Sequence, residues 1–296
     1  MAAVTRPRRS VLYMPGSNPR ALDKGRSLAC DAIVMDLEDA VAPEAKQAAR
    51  DAIAEALAAG GYGRREILIR VNGLDTPWGH DDLLFAASQP ADGVVLAKVE
   101  GGGTVRQAES LLVRNGAPEA MGLWCMIETP RGVLAAQEIA ASTPRMAGLM
   151  LGTNDLAKDL HCLHTPDRLP MMTSFGLCIL AARAYGLAIL DGVHADLNDD
   201  AGFAAVCRQG VELGFDGKTL IHPKTIAAAN DAFSPQPKDI AWARRIAEAH
   251  AVALAEGRGV LQVDGKLVEG LHVAEAQRLV DMADMIAELE ASARRD

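Results

Sequence analysis

GLWCMIETP (122–130) and MAGLMLGTNDL (146–156) decide the fold, because each is an apolar run that climbs to one acid, Glu128 in the first and Asp155 in the second. The acids lie 27 residues apart, about the length of one strand, one crossover helix and two loops. That spacing puts both carboxylates at the same end of neighbouring parallel strands. Such strands run roughly 4.8 Å apart, so two short acids at their tips can converge on one hard cation with oxygen ligands near about 2.1 Å. A Mg²⁺ site, with Mn²⁺ as an alternative occupant, is the first expectation.

Working outward from these two runs, six more appear: SVLYM (10–14), AIVMD (32–36), EILIRV (66–71), GVVLAK (93–98), LAILD (187–191) and DGKTLI (216–221). Alanine-rich helical stretches separate them, such as EAKQAARDAIAEALAAG, which Pro43 opens and Gly60 closes. Eight βα units in series predict an α/β protein built as a closed (β/α)₈ TIM barrel over residues 1–235, with its chemistry at the C-terminal rim. A doubly wound open sheet is the competing architecture, but no GxGxxG follows the first run. Residues 236–296 exceed what a barrel needs. They read as a helix (239–257), a hairpin around Asp264 and Gly265, and a last helix, forming either a lid over the rim or an oligomerisation segment.

Composition narrows the function. Hydrophobic residues make up 49% of 296 and aromatics only 4%, the aliphatic balance of helices packed on a buried parallel sheet. A net charge of −9 argues against a nucleic-acid surface, although a local basic pocket remains compatible with it. Five scattered cysteines without a CxxC pair suit a reducing cytoplasm. The apolar stretch after Arg6, Arg8 and Arg9 is too short for a signal core or a membrane span.

The strand tips collect Pro15, Gly16 and Ser17, then Asp36, Glu38 and Asp39, then Arg70 and Asn72, Lys98 and Glu100, Glu128, Asn154 and Asp155, Asp191, and His222. Arg70 sits inside the apolar run ILIRV, where an unpaired guanidinium is costly, so it must meet carboxylates or a ligand anion. Glu38 and Asp39 are its expected partners, or caps for the helix near Pro43. A fork held this way could also receive a substrate carboxylate or an enolate oxygen. His161 and His164, on one expected helical turn, lack further ligands at zinc spacing. Lys24, Arg20 and Arg26 are either the basic pocket or a solvated face.

Seven motifs in order, VLYMPGSNPRALDK, IVMDLEDAV, IRVNG, LAKVE, MIETPRG, GTNDL and GFDGKTLIHP, resemble the citrate lyase β-subunit-like members of the HpcH/HpaI aldolase superfamily over nearly the whole chain. The resemblance implies a Mg²⁺-dependent carbon–carbon lyase forming trimers or hexamers, with no nucleic-acid or membrane partner. Its substrate would be a CoA thioester such as malyl-, β-methylmalyl- or citramalyl-CoA, split to a 2-oxo acid and an acyl-CoA. A malyl-CoA thioesterase and a citryl-thioester lyase β subunit are the alternatives within the family. By the same resemblance Glu128 and Asp155 hold the metal, Asn154 lies beside them in the substrate site, Arg70 binds the 2-oxo acid and steadies the enolate, Glu38 and Asp39 support Arg70 and the metal waters, and Lys24 reaches the CoA phosphates. The resemblance also implies that the base for the proton next to the thioester carbonyl, in the condensation direction, comes from the C-terminal lid of a neighbouring protomer, commonly an aspartate in a DG-x-x-x-D context. This chain reads DGKLVEG, so Glu269 takes that place. Asn18 stands where relatives often carry a phosphate-binding arginine.

Overall fold

The computed structural model of the chain describes residues 6–255 and 261–293. Contacts divide them into two compact units, Arg8–Phe233 and the segment from Ser234 on. In the first unit the eight runs become β1 (Ser10–Pro15), β2 (Ala32–Asp36), β3 (Glu66–Val71), β4 (Gly93–Leu96), β5 (Gly122–Ile127), β6 (Met146–Leu151), β7 (Ala188–Asp191) and β8 (Gly217–Leu220). All pair in parallel with their sequence neighbours, and β1 pairs with β8 to close the barrel. The helices are α1 (Pro19–Gly25), α2 (Lys46–Ala59), α3 (Gly79–Ala87), α4 (Gly102–Arg114), α5 (Pro130–Leu134), α6 (Ala136–Ala140), α7 (Thr153–Asp159), α8 (Met172–Ala184), α9 (Asp200–Leu213) and α10 (Ile226–Phe233). The crossover from Glu128 to Asp155 is thus two short helices, with the Thr129 hydroxyl accepting the Gly132 N–H to start the first.

Because strand side chains alternate between faces, the barrel has two apolar compartments. Val11, Ala32, Val34, Leu68, Val95, Trp124, Met126, Met150 and Leu190 fill the lumen. Their odd and even partners, including Ile33, Ile69, Leu123, Ile127 and Leu149, pack outward under the helices. Trp124 plugs the lumen because Gly148 faces it: a Cβ there would lie 2.2 Å from the indole ring. Below the plug, Arg8 pairs with Glu66 at 2.5 Å and stacks over Trp124, while Arg9 pairs with Asp31 at 2.9 Å. The basic N-terminal residues therefore brace the barrel floor.

The second unit contains α11 (Pro237–Ala255), β9 (Leu261–Val263), β10 (Lys266–Val268) and α12 (Gly270–Ala293). Asp264 and Gly265 have φ of 50° and 78°, positive at both central residues as a two-residue type I′ hairpin requires. Ala243, Ile246, Val263, Val268 and Ala276 make its core. Among the described residues no helix is long and apolar enough to cross a membrane.

Candidate active site at the barrel mouth

The alternation that fills the lumen also aims the chemistry. Tyr13 shares parity with Val11, Asp36 and Glu38 with Val34, Arg70 with Leu68, and Glu128 with Met126, so these side chains point into the barrel mouth. Register then fixes their pairing, since Asp36 lies directly beside Arg70 across β2 and β3. Arg70 Nε and Nη2 donate to Asp36 Oδ1 and Oδ2, each at 2.6 Å, and Nη1 lies 2.9 Å from Glu38 Oε2. The guanidinium stacks 4.8 Å above the Tyr13 ring. Arg70 is only 8% exposed. Burial works against its charge, but Asp36, Tyr13 and Glu38 outweigh it and hold the pKa above its ordinary value. Asp36, itself fully buried, also accepts the N–H groups of Glu38 and Ala40.

Glu128 is in the opposite situation. It is 2% exposed, and among the described residues its carboxylate accepts one hydrogen bond, from the Lys98 backbone N–H to Oε1 at 2.7 Å. Gly152 makes room for it: a Cβ there would meet Glu128 Cβ at 2.4 Å and Oε2 at 2.5 Å. Burial pushes its pKa up to about 7, with Glu38 and Asp155 adding to the rise while the Lys98 N–H and Arg70 oppose it. Asp155 is half-buried in the first turn of α7, and Asn154 beside it is exposed. The Lys98 ammonium lies 3.7 Å from Glu38 Oε1.

Among the described residues no group of three or more His, Cys, Asp or Glu side chains is gathered as a ready metal cage. Two carboxylates that leave the remaining positions to water and substrate are the donor set a Mg²⁺ ion accepts, since it dehydrates reluctantly. The charge balance points the same way. Among the described residues, Asp36, Glu38, Asp39, Glu128 and Asp155 have Arg70, Lys98 and Lys46 near them, a formal charge of −2 when all are ionised. The residues present fit a divalent cation.

Several sequence expectations change. Asp36, rather than Asp39, is the bidentate partner of Arg70; Asp39 is exposed and gives its N–H to Glu38 Oε2 at 2.9 Å. Neither Glu38 nor Asp39 caps the turn at Pro43, where Ala42 is the cap residue without a side-chain bond. Asp191 has the parity of Ile189 and faces the helices, where Arg168 Nη1 at 2.7 Å and Lys218 Nζ at 2.8 Å neutralise it. Asn72 is a structural tie among Leu37 O, Lys46 and Asp82. His222 accepts the Lys224 N–H at 3.1 Å as a cap. His161 and His164 follow the end of α7 instead of sharing a helical turn. Of the three basic residues near α1, Arg26 is spent on Asp23, Gly60 O and the Tyr62 ring, leaving Arg20 and Lys24 exposed. Glu269 is an exposed residue of the second unit, between β10 and α12, with its N–H on His272 Nδ1 at 3.0 Å. Tyr13 and Gly152 escaped notice in the sequence. Counting parity back from the apolar lumen residues would have found Tyr13, whereas nothing local distinguishes Gly152.

A profile of the HpcH/HpaI aldolase/citrate lyase family matches residues 9–223. A (3S)-malyl-CoA thioesterase of Cereibacter sphaeroides is 47% identical over 99% of this chain and 100% of its own length. An L-malyl-CoA/β-methylmalyl-CoA lyase of the same species is 34% identical over 97% of this chain and 98% of its own. The crystal structure of the protein CitE from Mycobacterium tuberculosis, in complex with magnesium, acetoacetate and coenzyme A, superposes with a TM-score of 0.72 at 28% identity, over 95% of this chain and 99% of that one. With an eight-stranded barrel, a mouth of buried acids around one braced arginine, and similarity along its whole length, this chain belongs to the HpcH/HpaI aldolase/citrate lyase family.

Proposed function

We propose that the chain is a divalent-cation-dependent enzyme that cleaves the carbon–carbon bond of a small 3-hydroxyacyl-CoA of the malyl type, giving a 2-oxo acid and an acyl-CoA. The observation that carries this reading is the contrast inside the mouth: Arg70 is rigidly held by Asp36 and Glu38, while Glu128 makes no ion pair among the described residues. Glu128 and Asp155 would hold the metal, with Asn154 beside them. When bound, Mg²⁺ supplies a Lewis acid for the carbonyl that forms on the 2-oxo acid.

The protein groups account for the rest. Cleavage makes an enolate of the acyl thioester, and Arg70 offers fixed positive charge with one N–H of Nη2 uncommitted beyond the contacts above. Asp36 prevents that fork from turning away, and Glu38 with Asp39 orders the rim beside it. Arg70→Lys keeps the charge but loses the two-point brace, so kcat should fall by about 10²–10³-fold. Glu269, supplied by the 236–296 segment of a neighbouring protomer in a trimer or hexamer, is the proposed general base for the proton next to the thioester carbonyl in the condensation direction, and in cleavage it would return that proton to the enolate carbon. Lys24, together with exposed Arg20, is proposed to meet the CoA phosphates.

A second reading, hydrolysis of the thioester, is favoured by the 47% full-length identity to the (3S)-malyl-CoA thioesterase. Products separate the two. Purified protein with MgCl₂ and malyl-CoA should release glyoxylate and acetyl-CoA if it is a lyase, or malate and free CoA if it is a thioesterase. Absence of both product pairs, with β-methylmalyl- and citramalyl-CoA also unchanged, would contradict the proposal.

A further inference from the structure

The fourth apolar run was expected to continue as strand through Lys98, but β4 stops at Leu96 and Lys98 adopts φ 50°. A non-glycine residue in this left-handed region needs surroundings that impose it. Here the turn points the Lys98 backbone N–H onto Glu128 Oε1, and it roots the side chain at the edge of the acidic mouth. The arm is 48% exposed, and its nearest acid is Glu38 Oε1 at 3.7 Å, long for a tight ion pair. Glu38 Oε2 already serves Arg70 and the Asp39 N–H, so Oε1 is the side left to the ammonium.

We propose that Lys98 is a positioning residue whose ammonium, tethered beside Glu38, acts as a counter-ion of the acidic mouth in electrostatic competition with the divalent cation. The inference rests on the cation site proposed above and assigns Lys98 a part in it. Its backbone and its side chain do different things. The amide holds Glu128 in place, and the flexible arm lowers the negative charge while the site is empty and withdraws to solvent when a cation arrives. Burial opposes the ammonium's charge, but Glu38, followed by Asp39, Asp155 and Glu128, raises its pKa. Lys46 differs, since it is buried and bonded to Leu37 O, Glu38 O and Asn72, and has no freedom to move aside.

A competitor leaves a signature opposite to that of a ligand or brace. Lys98→Met preserves the backbone constraint and the length of the arm while removing the charge, so it should bind Mg²⁺ about 5- to 10-fold more tightly by calorimetry at low salt, with the gain shrinking as NaCl is raised. Lys98→Arg should bind as the parent does. Circular dichroism of each variant checks that the barrel is intact. Unchanged or weaker uptake by a folded Lys98→Met protein, while the parent takes up Mg²⁺ and Glu128→Gln does not, would overturn the role of Lys98 and leave the cation site standing. Absence of uptake by the parent protein would overturn both.

Discussion

Glu128 and Asp191 each end an apolar run at the C-terminal side of the barrel, and both are buried, at 2% and 0% exposure. One residue of parity separates their fates. Asp191 turns outward and is met by Arg168 and Lys218, with Lys218 its direct neighbour in the β7–β8 register. Glu128 turns inward and is met by one amide and by other acids. A buried acid whose charge is fully answered by side chains holds a structure together. A buried acid crowded by its own kind favours its neutral form, and the proposed divalent cation is the partner that would let it ionise.

This contrast can be broken most directly at Asp191. Asp191→Asn strands buried Lys218 and half-buried Arg168, so urea denaturation should report a loss of about 3–5 kcal/mol; a loss below about 1 kcal/mol would mean that the outer network is not the brace described. Glu128 should behave in the reverse sense. Its folded pKa of about 7 lies above the ordinary 4.5, so the metal-free native state holds this proton more tightly than the unfolded chain does. Stability therefore falls as pH rises from about 4.5 to about 7. Glu128→Gln removes the penalty and should be more stable than the parent by up to about 3 kcal/mol above pH 7, and no more stable below pH 4.5. A pH-independent difference would contradict the burial argument. A smaller effect comes from Gly152→Ala, whose new methyl collides with Glu128; about 1–3 kcal/mol of stability and part of the cation affinity should be lost together. Loss of stability alone would show that Glu128 can be displaced without consequence for the cation.

The barrel was legible in the sequence because strands buried on both faces read as unbroken apolar runs, and all eight began within one residue of their observed starts. Arg70 was legible for a related reason: a guanidinium inside ILIRV demands a partner. Glu38 was one of the two partners expected, and it pairs with Arg70; the bidentate partner was decided by register, information that no single run carries, and so Asp36 was missed while Asp39 was named. Asp191 misled because position at a tip does not tell which way a side chain faces. Lys98 misled because a left-handed turn in a non-glycine residue is imposed by tertiary contacts, not by the residue itself. The Asp264–Gly265 hairpin was readable since that dipeptide names its own turn.

The central claim is that Glu128 and Asp155 together await a divalent cation at the barrel mouth. Calorimetric titration of the purified protein with MgCl₂ at pH 8 tests it most directly. One ion per chain should bind, and Glu128→Gln and Asp155→Asn should each abolish the uptake while the protein stays folded. Undiminished binding in both variants, or none in the parent, would contradict the account.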